Sequence, residues 1–211
     1  KLINKLYNAS KFVFMNLEGY NNEKPSKLET IDQEFLNHLS NLIENTTTHF
    51  EKYNYSHAKE LIERFFFSTF ADDYIEIVKK RIYNEAGDKK ISAQYTLKKS
   101  LLTILKLLAP IMPFITEEIY QTYYHEEESI HITPWPEYKE DSEPSKLFTN
   151  FQEILSKIRQ EKTNQQKSMN SEITLTLEKE TLGNLKEVLE DLKAVTASLE
   201  VKEGKFKVEF N

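Results

Sequence analysis

The chain has 211 residues, enough for one or two domains with a sizeable core. A hydrophobic content of 39%, with 13 Phe and 11 Tyr, excludes a disordered chain, and zero Cys excludes disulfide scaffolds, thiolate zinc sites and Cys nucleophiles. The net charge of −6 argues at face value against a polyanionic partner, but the whole surplus lies between Glu126 and Glu143, where seven acidic residues meet Lys139 alone, so any nucleic acid would be bound locally rather than through a general positive field.

A helical pattern is already running at Lys1, which suggests a piece of a longer protein. Leu2, Leu6, Ala9, Val13 and Leu17 form one apolar stripe at helical spacing, closed by Gly19 and Asn21-Asn22. Thr30 and Gln33 have capping-box spacing for a second helix carrying Ile31, Phe35, Leu39, Leu42 and Ile43. Ser56 suits the N-cap of a third, in which Leu61, Ile62, Phe65, Phe66, Phe70, Tyr74, Ile77 and Val78 are dense enough for the centre of a bundle. Gly87-Asp88 breaks it. Ser92 could cap a fourth helix reaching Ala109, and Pro110 and Pro113 separate it from a fifth over residues 114–124. No apolar run approaches the roughly 20 residues that cross a bilayer, and no secretory leader opens the chain. A cytoplasmic location and no membrane partner are therefore expected.

Residues 126–144 are acidic and Pro-rich, with Trp135 between Pro134 and Pro136; they read as a linker pinned to the bundle by the indole. Beyond it, Phe148, Phe151, Leu155 and Ile158 predict a helix. Ile173, Leu175 and Leu177 alternate as in a half-buried strand, and Leu182 to Leu192 returns to helical period. Two further alternating runs, 195–199 and 206–210, join through Glu203-Gly204 as in a hairpin. The expected fold is mainly α: a helical bundle over 1–125, a linker over 126–144 and a small α/β unit of order αβαββ over 145–211.

Catalysis has little to hold. The five His show no metal spacing, Glu117-Glu118 and Asp72-Asp73 are adjacent carboxylates that point about 100° apart on a helix, and four scattered Gly make no phosphate loop. No catalytic, cofactor or metal residue is expected in this chain. The first helix is more informative. Lys5, Asn8, Phe12 and Met15 group about 120° from the core stripe, with Lys11 at the border. One reading is a site for an unstacked base, with Phe12 as stacking platform, Asn8 as donor and acceptor, and lysines on phosphates. The other is that a neighbouring helix covers Phe12 and the lysines are merely solvated. Arg159, Lys162 and Lys167 read either as contacts to RNA backbone or as a solvated helix face.

The stretch Lys5-Leu6-Tyr7-Asn8-Ala9-Ser10-Lys11-Phe12-Val13 resembles the opening of the anticodon-binding domain of valyl-tRNA synthetases. In order along the chain, Phe70-Ala71-Asp72-Asp73-Tyr74, Pro110-Ile111-Met112-Pro113-Phe114-Ile115-Thr116-Glu117-Glu118 and Pro134-Trp135-Pro136 are similar to further motifs of that class I family. The resemblance implies anticodon recognition within a ligase that charges tRNA with valine, using ATP and Mg in catalytic and editing domains elsewhere in the same chain. It places Lys5, Lys11 and Phe12 against the anticodon loop of valine tRNA, with Asp72 near the same surface. Lys11 stands where Arg is commoner, which loses the planar bidentate fork, and Asp73 where Trp is frequent. For Asp72 a tie between helices is the other reading. Rival assignments are the equivalent domain of an isoleucyl- or related synthetase, or a helical protein-interaction scaffold without RNA.

Overall fold

A computed structural model describes residues 1–124, 128–138 and 145–211. His125, Glu126 and Glu127, and the second part of the expected linker from Lys139 to Pro144, lie outside the described residues. Helices α1 (Leu2–Met15), α2 (Thr30–Glu51), α3 (Tyr55–Arg64), α4 (Ile75–Asn84), α5 (Asp88–Leu108) and α6 (Pro113–Tyr124) build the bundle. The α1 stripe buries Leu6, Ala9 and Val13 as its spacing predicts, and Gly19 at φ 76° lets the chain turn away. Pro113 opens α6, where its missing N–H costs nothing.

Three expected caps are used differently. Glu29, not Thr30, sits at the N-cap of α2; Thr30 Oγ1 donates to Glu187 and Gln33 Nε2 to Asn37. Asn54 precedes α3, which starts ahead of Ser56. Gly87 begins α5, leaving Ser92 one turn inside, where its hydroxyl accepts from the Glu29 N–H and donates to Asp32. Each of these hydroxyl positions has the right spacing for a cap, but tertiary partners or the preceding residue took the role.

The third predicted helix is continuous from Tyr55 to Asn84, with its middle, Phe65–Tyr74, wound as a π-helix. The core explains the winding. Ile62, Phe66, Phe70, Tyr74 and Val78 are all fully buried and follow one another at intervals of four. On an α-helix such a series drifts by about 40° per step and would carry its last member roughly 160° from its first. The wider i→i+5 winding holds all five toward the centre. Tyr74 stacks on Phe35 of α2 with centroids 3.9 Å apart, and Phe148 meets Phe35 edge-on at 5.6 Å.

Beneath these rings lies a charged network with no exposed member at its centre. Asp32 of α2 is completely buried and accepts four hydrogen bonds: Arg81 Nη1 and Nη2 at 2.8 Å each, Tyr74 Oη at 2.7 Å and Ser92 Oγ at 2.5 Å. Arg81 also faces Asp191 at 3.1 Å from Nε, without hydrogen-bond alignment. Burial pushes the Asp191 carboxyl up to about 6, against the pull of Arg81 and with repulsion from Asp32 added. The Tyr74 hydroxyl is likewise raised by burial and by the Asp32 charge.

Asp191 belongs to α9 (Leu189–Thr196), so this network also fastens the C-terminal part. That part contains α7 (Lys146–Asn164), β1 (Ile173–Leu177), α8 (Lys179–Asn184), a 3₁₀ turn at Lys186–Val188, α9, β2 (Ser198–Glu203) and β3 (Lys207–Phe210). The expected order αβαββ is met only in outline: the helix expected between the first two strands is split into α8, the 3₁₀ turn and α9, and the run 195–199 starts as the end of α9, with β2 beginning at Ser198. The expected hairpin is not formed. β1 is the centre of the sheet, with β2 parallel on one side and β3 antiparallel on the other. The turn after Glu203 crosses the end of β1: Gly204 N–H donates to Leu177 O, and a Cβ there would stand 2.9 Å from Thr176 Cγ2. β1 wins the central place because Ile173, Leu175 and Leu177 are all buried, while β2 and β3 are largely exposed. Trp135 pins its segment as expected, donating from Nε1 to Thr47 Oγ1 at 2.8 Å and meeting Phe50 edge-on.

Removing one partner of a buried, hydrogen-bonded pair leaves an uncompensated charge, so Arg81→Met is expected to lower the unfolding free energy by about 3–5 kcal/mol in urea denaturation. A loss below about 1 kcal/mol would contradict a structural role for the network. The pH dependence has a defined sign. A carboxyl raised above its ordinary 3.8 favours folding while protonated and loses that contribution as pH climbs through about 6. Wild type should therefore lose stability relative to Asp191→Asn across that interval and run parallel to it above; parallel profiles throughout would remove the assignment.

Candidate nucleic-acid interface

The face of α1 away from the core carries Lys5, Asn8, Lys11, Phe12 and Met15. Asn8 and Lys11 are exposed, and among the described residues neither side chain is engaged in an ion pair or hydrogen bond. Met15 is 67% exposed and Tyr7 43%, so the helix offers apolar as well as polar surface. Phe12 departs from the open stacking platform expected of it. The ring is half-buried and packed against the core, and the Lys79 ammonium lies 5.7 Å from its centroid. The cause is the adjacent α4, whose Lys79 is held by Glu76 at 2.5 Å and leans over the ring.

Lys5 reaches the other way, across 67 residues of sequence, to Asp72 in the π-helical segment, with Nζ 2.6 Å from Oδ1. The same ammonium lies 5.0 Å from the Phe67 ring centroid. The tie between helices is thus present, and it also gathers the sequence-predicted residues onto one surface. Asp72 keeps 59% of its side chain exposed, and among the described residues Oδ2 has no partner. A carboxylate with one oxygen fixed by a cation and the other open is an oriented acceptor, the group needed to receive an exocyclic amine.

Arg159 and Lys162 are not free cations. Arg159 of α7 places Nη1 2.5 Å from Asp73 Oδ1 and Nη2 2.9 Å from the Asp72 carbonyl oxygen, and Gln152 donates to Asp73 Oδ2 at 2.6 Å. Lys162 is 1% exposed and donates to the carbonyls of Met169, Ser171 and Thr196 at 2.7–2.8 Å. The reading of Lys162 as a contact to RNA backbone is therefore corrected. Its ammonium closes the loop between α7 and β1 onto the end of α9, and burial lowers its pKa. Lys167, the third of that group, lies 5.8 Å from the Phe210 ring.

Lys79, Phe67 and Gln152 complete this surface but were not singled out in the sequence, and Asp73 was noted there only as a neighbouring carboxylate and a departure from the family's Trp. The four-residue spacing of buried aromatics is the signal that could have found the π-helix, and with it the neighbours of Asp72. A groove of about 670 Å³ lies elsewhere, between α2, α5 and residues 134–138, and holds Lys24, Lys99 and Lys106. None of the sequence-predicted site residues lines it, so volume and chemistry point to different places. Among the described residues no group of three His, Cys, Asp or Glu side chains could hold a metal ion. No helix among the described residues is long and apolar enough to cross a membrane.

Comparison with known proteins identifies the family. A family model described as the anticodon-binding domain of tRNA ligase matches residues 32–179. The chain is 37% identical over 96% of its length to a valine–tRNA ligase of Rickettsia canadensis, of which it covers 27%. It is 40% identical over 80% of its length to that of Ehrlichia canis, covering 22%, and 33% identical over 82% to that of Pyrococcus furiosus, covering 20%. The chain thus spans roughly a quarter of the length of these curated relatives.

The burial of Lys162 leads to a direct prediction. Lys162→Met strips three buried carbonyls of their donor and should cost about 3 kcal/mol in urea unfolding, while the folded variant keeps its RNA affinity to within about twofold in a titration. A salt slope reduced by about 1 would instead mark a phosphate contact.

Proposed function

Because the chain belongs to the anticodon-binding domain family of tRNA ligases, we propose that it reads the anticodon loop of valine tRNA as part of a cytoplasmic valine–tRNA ligase, whose ATP- and Mg-dependent activation of valine and esterification of tRNA would be carried by catalytic and editing domains of the same protein. Residues 1–125 are then the RNA-facing bundle, residues 126–144 the linker, and residues 145–211 a smaller α/β unit whose α7 reaches the same surface through Gln152 and Arg159. The observation that carries this reading is the convergence of Lys5 and Asp72, far apart in sequence, beside the open amide of Asn8 and the free ammonium of Lys11.

The chemistry of the target suits these groups. Codons beginning GU require anticodons ending in A and C, and both bases present exocyclic amines. Asp72 Oδ2 and the Asn8 carbonyl oxygen accept from such amines, whereas a guanidinium would favour G. Lys5 and Lys11 neutralise backbone phosphates once the loop is seated. Stacking on Phe12 requires Lys79 to swing aside. Its pair with Glu76 is solvent-exposed, and such pairs contribute about 0–1 kcal/mol. A base stacked on an aromatic ring contributes about 1–3 kcal/mol, so displacement is favourable, and the released ammonium stays close enough to meet a phosphate.

Binding of a valine tRNA transcript should be salt-dependent, with log K falling as log salt rises. Replacing the anticodon A or C should weaken it by about 1–3 kcal/mol, and Phe12→Ala should lower affinity by a similar amount without unfolding the bundle. Equal binding of all anticodon variants would contradict base reading; no binding at low salt would favour a scaffold without RNA. A transcript of isoleucine tRNA bound as tightly as the valine one would redirect the assignment to a related ligase.

A further inference from the structure

The two adjacent carboxylates of the π-helical segment have divided roles. Asp72 is open and faces α1; Asp73 keeps only 13% of its side chain exposed and faces α7. Both Asp73 oxygens are occupied, Oδ1 by Arg159 and Oδ2 by Gln152. Arg159 uses the second arm of its fork on the Asp72 carbonyl oxygen, so one planar guanidinium grips the side chain of residue 73 and the backbone of residue 72 together. The grip falls in the last turn of a winding that is rare in proteins and persists only where its surroundings over-determine it.

We propose that Arg159 is a positioning residue for anticodon reading: through the Asp73 carboxylate and the Asp72 carbonyl it fixes the π-turn from which Asp72 presents its free oxygen, without touching RNA itself. This inference rests on the anticodon reading of Asp72 given above and adds a residue from outside the RNA-facing bundle. Geometry favours this role over a phosphate contact. Both terminal nitrogens of the guanidinium are committed to the protein at 2.5 and 2.9 Å, and its side chain is 31% exposed. Releasing it to a phosphate would leave the mostly buried Asp73 carboxylate with Gln152 alone. Lysine could keep the pair with Asp73 but has no second planar arm for the Asp72 carbonyl, so charge alone does not satisfy the site.

The test uses the 211-residue chain and valine tRNA transcripts with native and swapped anticodons, and compares wild type, Arg159→Ala, Arg159→Lys, Asp72→Asn and the Arg159→Ala/Asp72→Asn double variant. The readouts are the ratio of dissociation constants for swapped and native transcripts, the salt slope, and the thermal midpoint as a check of folding. Arg159→Ala is expected to reduce the ratio about tenfold, leave the salt slope unchanged, and add nothing once Asp72 is Asn. Arg159→Lys should show the same loss of ratio with an intact fold, which keeps the test valid if the alanine variant is unstable. Additive losses in the double variant, a slope reduced by about 1, or an unchanged ratio would each overturn the proposal. A wild-type ratio of one overturns the anticodon reading itself and the positioning role with it, which separates that outcome from failure of Arg159 alone.

Discussion

A single buried carboxylate organises this molecule. Asp32 of α2 is sealed from solvent and satisfied by Tyr74 and Arg81 of the continuous helix over residues 55–84 and by Ser92 of α5. A charge in such a place costs several kcal/mol to desolvate and is tolerable only when its partners are all in place. The helices that donate those partners therefore cannot shift independently. Arg81 extends the constraint to Asp191, so the C-terminal unit is fixed against the same centre rather than tethered through its linker alone.

The π-helical segment translates that constraint to the surface. Its inner side contributes Tyr74 to the network and Phe66 and Phe70 to the core, and its outer side carries Asp72 toward α1 and Asp73 toward α7. A ten-residue π-helix is unfavourable in isolation; here a row of large aromatics at four-residue spacing rewards it by full burial. The consequence reaches the surface. A regular helix through the same residues would set Asp72 at a different angle from Phe70 and Tyr74, which point inward while Asp72 meets Lys5. Core packing thus sets the position of a side chain that is itself exposed.

Much of this was legible in the sequence. The helical stripes, the proline break between α5 and α6, the pinning role of Trp135, and the α7 and β1 elements that open the C-terminal part all follow from periodicity and side-chain character. Strand order did not, because alternation in residues 206–210 says which face is buried but not which neighbour is paired; the full burial of β1 decided that. Ser92 and Lys162 were misread for one common reason. Each belongs to a type normally found at a cap or in solvent, and each was captured by buried acceptors: Asp32 for Ser92, and the carbonyls of Met169, Ser171 and Thr196 for Lys162. Phe12 was half legible: it does lie off the core stripe, but the lysine above it comes from α4, whose rotation depends on the π-turn. The Lys5–Asp72 convergence was implied only by resemblance, since no local rule links residues so far apart.

The central claim is that RNA meets the surface shared by α1 and the π-helical segment. Chemical-shift mapping of the labelled chain against a valine anticodon stem-loop tests it most directly. Perturbations are expected to concentrate at residues 5–15 and 67–79, with little change around the groove of Lys24, Lys99 and Lys106. Perturbations confined to that groove, with α1 silent, would contradict it.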